Sequence, residues 1–334
     1  MLDPYLLFLG DTTLPGSDKT AAGLVQWRPE LCLGQHRLPG CGVDVGLPDM
    51  TPAVAHERGA RTMVVGVVNV GGHLPPHWIA SIVEALDAGL DVAAGLHQRL
   101  ADIPEVREAA TRSGRTIHDV RQPTRPFAPG TGAPRSGKRI LTVGTDCVVG
   151  KKYTALALER EMRRRGIDAD FRATGQTGLM IAGRGVVIDA VIADFISGAA
   201  EWLSPAATAD HWDVIEGQGA LNHPAYAGVT LGLIHGSQPD VLVLCHEPVR
   251  PNILGLDYII PDLATCIAMN LDAARLTNPQ ARVAGISINT SRMSAEAAAL
   301  ARRQIAEETG LACADPIRDG VGDIVDAILR PGVD

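Results

Sequence analysis

Residues 140 to 159, ILTVGTDCVVGKKYTALALE, constrain the chain more than any other stretch. An apolar run leads into a loop bracketed by Gly144 and Gly150; two lysines follow, and then a helical pattern. Strand, glycine-bracketed loop and helix N-terminus, in that order, form a cradle of inward-pointing backbone N–H groups suited to phosphate. A ligand carrying phosphates is expected here.

The common phosphate loop reads GxxxxGK[ST], with the lysine on the phosphates and the hydroxyl on Mg²⁺. In this chain five residues separate the two glycines, Lys151 follows, and Lys152 stands where the hydroxyl should be. The nearest hydroxyl, Thr154, is about 200° round the helix from Lys152. That puts it on the Lys151 face but deeper, poorly placed to ligate Mg²⁺. Two lysines at a helix N-terminus neutralise a diphosphate without metal. The expected seat runs through Gly144, Thr145, Asp146, Cys147, Val148, Val149, Gly150, Lys151 and Lys152, with Thr154 at its margin. No metal ligand is assigned, and nucleotide hydrolysis does not follow from this spelling.

At 334 residues the chain is long for one core, and two domains are expected. Residues 121 to 138, RQPTRPFAPGTGAPRSGK, hold four prolines, three glycines and almost no aliphatic side chain. Such a stretch supports neither a ladder nor a core helix. The expected division is a Rossmann-like domain over 1–125, a linker over 126–138, and a doubly wound domain like that of P-loop NTPases over 139–334. In the first half TMVVGVV (62–68), DVAAG and TIHDV read as strands, and 76–89 and PEVREAATRSG as helices. The second half predicts strands at ILTVG, DADFRAT, WDVIEG, VLVLCH and ARVAGISIN. Its helices fall near 150–165, 189–202, 262–276, 294–308 and 321–329. Alternation of this kind implies parallel sheets, with ligands beyond the carboxyl ends of the strands. No GxGxxG marks a dinucleotide.

Composition is that of a globular α/β protein: 46% hydrophobic, 20% charged and rich in glycine. A formal charge of −8 argues against broad nucleic-acid or membrane-surface binding. The six cysteines show no CxxC pair and no zinc spacing, so they read as reduced. The N-terminus lacks the pattern of a signal peptide, and no apolar run approaches the roughly 20 residues that span a bilayer. The expectation is a cytoplasmic homo-oligomer acting on small molecules.

GTDCVVGKK is similar to the phosphate loop of dethiobiotin synthetase, and IEGQGAL (215–221) to that family's Glu-Gly-x-Gly segment. A closer resemblance runs the length of the chain, to the bacterial and archaeal DUF1611 family. It is carried by DTTLPGSDKTAAGLVQW, GHLPPHW, GLHQRL, GTDCVVGK, ATGQTGLMIAGRG, DAVIADFISGA, EGQGALNHPAY and GVTLGLIHGSQPDVLVLCHEP. One departure is Lys152, where many relatives are expected to carry Met. The resemblance implies an acetyltransferase that joins the acetyl group of acetyl-CoA to D-glutamate. The CoA diphosphate would then occupy the loop, and a seat without a Mg²⁺ hydroxyl is what such a ligand needs.

Acetyl transfer requires a grip on the amino acid, a base for its ammonium and donors for the oxyanion. ATGQTGLMIAGRG (173–185) offers Thr174, Gln176, Thr177 and Arg184 among its glycines, with Arg184 able to grip a carboxylate bidentately. Gln218 and His223 follow Glu216 closely. Glu216, at the end of WDVI, and Asp146, inside the loop, compete as general base, with His235 as a third candidate. Cys147 at a helix N-terminus also fits an acyl-thioester nucleophile or a small loop-filling side chain. EREMRRRG reads as a solvated helix end. His246, Glu247 and His211 lack metal-site spacing. Asp11, Lys19, Thr20, His73 and His97 of the first half fit either substrate closure or structural roles. The rival reading is an ATP- and Mg²⁺-dependent enzyme that activates a carboxylate or carbamate. A non-catalytic nucleotide or CoA sensor is a third.

Overall fold

The computed structural model describes residues 1–14, 16–67, 72–123 and 125–330. Val68, at the end of the predicted strand 62–68, and Thr124, in the proline-rich stretch, lie outside the described residues. The chain divides into two compact units.

The first unit, Met1–Thr124 with Leu179–Val187, is built on β1 (Tyr5–Gly10), β2 (Cys32–Arg37), β3 (Thr62–Val65), β4 (Asp91–Ala94) and β5 (Ile117–Asp119). All pairings are parallel, in the order β2-β1-β3-β4-β5. Every residue of β1, β3 and β4 is buried, as strands covered on both faces require. Its helices are α1 (Lys19–Trp27), α2 (Pro52–Glu57), α3 (Ile79–Asp87) and α4 (Pro104–Ser113). The pattern over 76–89 resolves into a single 3₁₀ turn, Pro76–Trp78, followed by α3. α1, β2 and α2 were not anticipated. Gly10 sits at φ +59°, where a Cβ would lie 2.1 Å from the Trp78 ring. The Trp78 indole donates to Asp11 Oδ1 at 2.7 Å, and His77 Nε2 lies 2.9 Å from Oδ2. Asp11 therefore has structural work within this unit.

The second unit, Arg125–Gly178 with Ile188–Asp334, carries β6 (Lys138–Gly144), β7 (Ala169–Arg172), β8 (Trp212–Ile215), β9 (Val241–His246), β10 (Arg282–Ile288) and β11 (Ala312–Ala314). They pair in parallel in the order β11-β10-β9-β6-β8-β7. The connecting helices are α5 (Lys151–Arg164), α6 (Gln176–Ala182, of which 176–178 fall in this unit), α7 (Ile196–Leu203), α8 (Ala227–Ser237), α9 (Leu263–Arg275), α10 (Ala295–Thr309) and α11 (Gly322–Leu329). Leu141, Val143, Ile215, Leu242, Leu244, Ile286 and Ile288 form the buried centre. From β6 the chain winds through α5 and β7 to β8 on one side, and later places β9 on the other side. This reversal opens a crevice at the carboxyl end of β6, the usual ligand position in a doubly wound sheet. Both units are thus parallel-sheet α/β structures, in line with the predicted fold class.

Candidate active site

Gly144 ends β6 and Lys151 begins α5, so the loop between them lies at the crevice. Val148 at φ +57° and Gly150 at φ +105° adopt left-handed backbone. Residues alternating into that region aim successive N–H groups at one point, which is how an anion nest forms. Not every amide of the loop is available. Thr145 N–H donates to Cys245 O at 3.0 Å, and Cys147 N–H to Asp146 Oδ1 at 2.6 Å. The N–H groups of Val148, Val149 and Gly150 have no partner among the described residues.

Lys151 folds back over the loop. Its Nζ donates to Asp146 O at 2.8 Å, and a Cβ on Gly144 would lie 3.0 Å from that nitrogen. Burial pushes the Lys151 ammonium below its ordinary value, against the pull of nearby Cys147, Cys245 and Asp146. A buried cation under the nest is a seat for negative charge. Lys152 is half-buried, its Nζ 5.0 Å from the Tyr153 ring centre.

Thr154 does not belong to this seat. Its hydroxyl donates to Gly150 O at 3.1 Å and meets Ser287 Oγ at 2.8 Å, with Cys245 Sγ at 3.4 Å. The side chain is fully buried and faces the sheet, because three residues beyond Lys151 is the inner face of α5.

Asp146 is also fully buried, yet it is not poised as a base. Its Oδ2 accepts from Arg250 Nη1 at 2.9 Å and from Leu254 N–H at 2.7 Å, while Oδ1 takes Cys147 N–H. Both oxygens brace the loop. Burial raises the Cys147 thiol, with Lys151 and Arg250 opposing. A ring nitrogen of His223, the thiol and an Asp146 oxygen lie within 4.8 Å of one another. His223 Nδ1 accepts Ala225 N–H at 3.1 Å. Its proton therefore resides on Nε2, which makes this ring a donor.

Glu216 follows β8 directly and is 4% exposed. Its Oε2 accepts Thr174 N–H at 3.0 Å and Gly175 N–H at 3.1 Å. Burial pushes the carboxyl above its ordinary value, opposed by Lys152, by the Thr174 and Gly175 amides and by Lys151. Both lysines are therefore close enough to act on it. Three glycines make the space. A Cβ on Gly178 would lie 2.3 Å from Oε2, one on Gly175 3.3 Å from Oε1, and one on Gly217 1.6 Å from Thr142 O. Gln218 Nε2 donates to Thr174 Oγ1 at 3.2 Å, so Thr174, Gln218 and Glu216 form one cluster.

The remaining predicted residues divide. Gln176 and Thr177 open α6, Thr177 buried. Arg184 is exposed and lies in the segment Leu179–Val187, which clusters with the first unit. His235 must be set aside as a base. It occupies the last turn of α8, which delivers the chain to the start of β9, whereas the loop lies at strand ends. A helix returning antiparallel to its strands carries its last turn to the opposite edge.

At the crevice, Asn222 and Arg250 escaped the sequence reading, and His246 was named there without a place in the site. His246 ends β9 and places Nδ1 3.0 Å from Thr145 Oγ1. Burial pushes it down to about 4, Glu247 opposing and Arg250 assisting. Asn222 donates to Thr145 O at 2.9 Å. Arg250 reaches the loop from beyond β9. His246 and Arg250 lie in CHEPVRPN, where strand-end position was the available signal; only contacts distant in sequence assign their partners.

The chain matches two family profiles. Residues 36–123 match the domain of unknown function DUF1611_N, a Rossmann-like domain, and 126–325 match DUF1611_C, a P-loop domain. A D-glutamate N-acetyltransferase from Pseudoalteromonas sp is 50% identical over 323 residues, 96% of this chain and 97% of that protein. Another of that name, from Tritonibacter scottomollicae, is 48% identical over 326 residues, 97% and 98% of the two chains. The crystal structure of a DUF1611 family protein from Anabaena variabilis superposes with a TM-score of 0.89 at 31% identity, covering 99% of this chain and 100% of that one.

Proposed function

The chain belongs to the DUF1611 family, and from that premise we propose that it is an N-acetyltransferase that moves the acetyl group of acetyl-CoA onto the amino group of D-glutamate. The name shared by relatives at about half identity over nearly the whole chain supports the reaction. The observation that carries the mechanism is Glu216, a buried carboxyl fixed through one oxygen by two N–H donors and set near the lysines of the phosphate loop.

The loop fits a diphosphate. Val148, Val149 and Gly150 offer free amides, Lys151 adds a buried cation and Lys152 a second positive charge. Thr154 withholds its hydroxyl, which is immaterial to a ligand that needs no metal there. In this reading the CoA pyrophosphate occupies the loop, and its thioester is the electrophile. Glu216 takes a proton from the substrate ammonium. The amine then forms its bond to the carbonyl carbon, the C–S bond breaks, and the departing thiolate takes up the proton that the newly bonded nitrogen loses. A carboxyl raised by burial is better matched to this transfer than an exposed one. His223, its proton on Nε2, suits donation to an oxyanion.

The test is thiol release from acetyl-CoA in the presence of D-glutamate, L-glutamate and other D-amino acids. Release confined to D-glutamate, with Glu216→Gln retaining CoA affinity but losing roughly 10²–10⁴-fold in turnover, is expected. Full rate in Glu216→Gln removes the base assignment. Calorimetric binding of ATP–Mg²⁺ without binding of acetyl-CoA removes the acyl donor.

A further inference from the structure

One guanidinium holds three consecutive residues of the phosphate loop. Arg250 Nη1 donates to Asp146 Oδ2 at 2.9 Å and to Cys147 O at 2.7 Å, and Nη2 to Val148 O at 3.5 Å. The Arg250 side chain is only 10% exposed and the Asp146 side chain wholly buried. Leu254 N–H, from the same segment after β9, closes on Asp146 Oδ2. Glu247 pairs with Arg250 from behind and also with Arg292.

A trans peptide holds its C=O and the following N–H antiparallel. Drawing the carbonyls of Cys147 and Val148 toward Arg250 therefore turns the N–H groups of Val148 and Val149 the opposite way. Both amides are without a partner among the described residues. The same grip spans Val148, a β-branched residue in left-handed backbone, a conformation such residues rarely hold unless their surroundings impose it.

We infer that Arg250 is a positioning residue for the acyl donor: through Asp146 and two loop carbonyls it sets the phosphate loop in its anion-receiving shape. The inference deepens the reading of the loop as the donor's diphosphate seat and rests on it. Arg250 itself faces the back of the loop, so its removal should weaken donor binding while leaving the chemistry at Glu216 in place.

The experiment compares wild type, Arg250→Met and Arg250→Lys in steady-state kinetics and in calorimetry with CoA and with inorganic pyrophosphate. Arg250→Met should raise the KM for acetyl-CoA about 10–100-fold, with kcat and the KM for D-glutamate within about threefold. Millimolar guanidinium should recover part of the affinity. Arg250→Lys, which keeps the charge but not the fork, should fall between the two; if Arg250→Met does not fold, this variant and its loss of pyrophosphate affinity decide. An unchanged donor KM and pyrophosphate affinity in these variants overturns the inference, as does an equal fall of kcat with no change in KM. Pyrophosphate binding without CoA binding in wild type would sink the acyl-donor reading, and the variants' pyrophosphate affinity would still decide the role of Arg250. Wild type that binds neither overturns both.

Discussion

Thr174 and Glu216 hold each other twice. The Thr174 amide donates to the carboxylate at 3.0 Å, and its hydroxyl donates to the Glu216 carbonyl at 2.6 Å. The clamp joins the segment after β7 to the end of β8 and fixes the carboxyl in a site that burial alone would disfavour. Thr174→Val keeps the amide and the shape of the side chain but leaves a buried carbonyl without its donor. That should cost about 1–3 kcal/mol of stability. Turnover should fall with little change in the KM for the acyl donor. Urea unfolding and steady-state kinetics on the same preparation check both, and an unaltered turnover would detach the clamp from catalysis.

The pH dependence of stability follows from the raised Glu216 carboxyl. Unfolded, the group releases its proton near 4.5; folded, burial keeps the proton to higher pH. Between those two values the native state binds more protons than the unfolded state, so stability falls as pH rises. Glu216→Gln should remove that slope and be more stable than wild type near neutrality while losing activity. His246 acts in the opposite direction. Its folded value, lowered to about 4 from 6.5, adds stability that is present above 6.5 and lost as pH falls toward 4. His246→Gln should flatten that limb. Denaturant titrations across the acid range resolve the two contributions, and unchanged slopes in either variant would refute its assignment.

Gly178→Ala tests whether the carboxyl must sit where it does. The added methyl would lie 2.3 Å from Glu216 Oε2, so the carboxyl must leave the Thr174 and Gly175 amides. Turnover should drop at least tenfold while pyrophosphate affinity persists, because the phosphate loop is untouched. Parallel loss of both would mean that the substitution disturbs the whole crevice.

How much of this was legible in the sequence depended on distance along the chain. β6 and α5 announced themselves because an apolar run, a glycine bracket and helical spacing are all local; the helix predicted at 150–165 is Lys151–Arg164. α8 did not, since Gly228, Gly232 and Gly236 depress helix propensity. Two of those glycines serve close packing instead. A Cβ on Gly232 would lie 2.6 Å from Ile196, and one on Gly236 2.1 Å from Ser197 O. The same hidden helix carried His235 away from the crevice. Glu216 was readable as a carboxylate at a strand end before a glycine. Arg250 was not, because its partner Asp146 is 104 residues away, and no spacing rule links them. Helix geometry put Thr154 at the margin of the seat, but not the partner of its hydroxyl, Ser287, 133 residues distant.

Thr154 separates the acyl-donor reading from its ATP-dependent rival. If a nucleotide bound through Mg²⁺ and this hydroxyl ligated the ion, Thr154→Val would abolish turnover. The hydroxyl is instead engaged by Gly150 O and Ser287, so the substitution should cost about 1 kcal/mol of stability and leave turnover within about threefold of wild type. Lys151→Met provides the contrast. Its ammonium is buried, lowered by desolvation and, among the described residues, bonded to one loop carbonyl. Removing it should relieve a desolvated charge, so the melting temperature should hold or rise. Donor affinity should nevertheless fall roughly 10²-fold or more, as expected for a charge-assisted contact to a diphosphate. Thermal melts and CoA calorimetry on the two variants give opposite patterns under this reading. A Thr154→Val enzyme without activity, or a Lys151→Met enzyme with normal CoA affinity, would return the site to the rival.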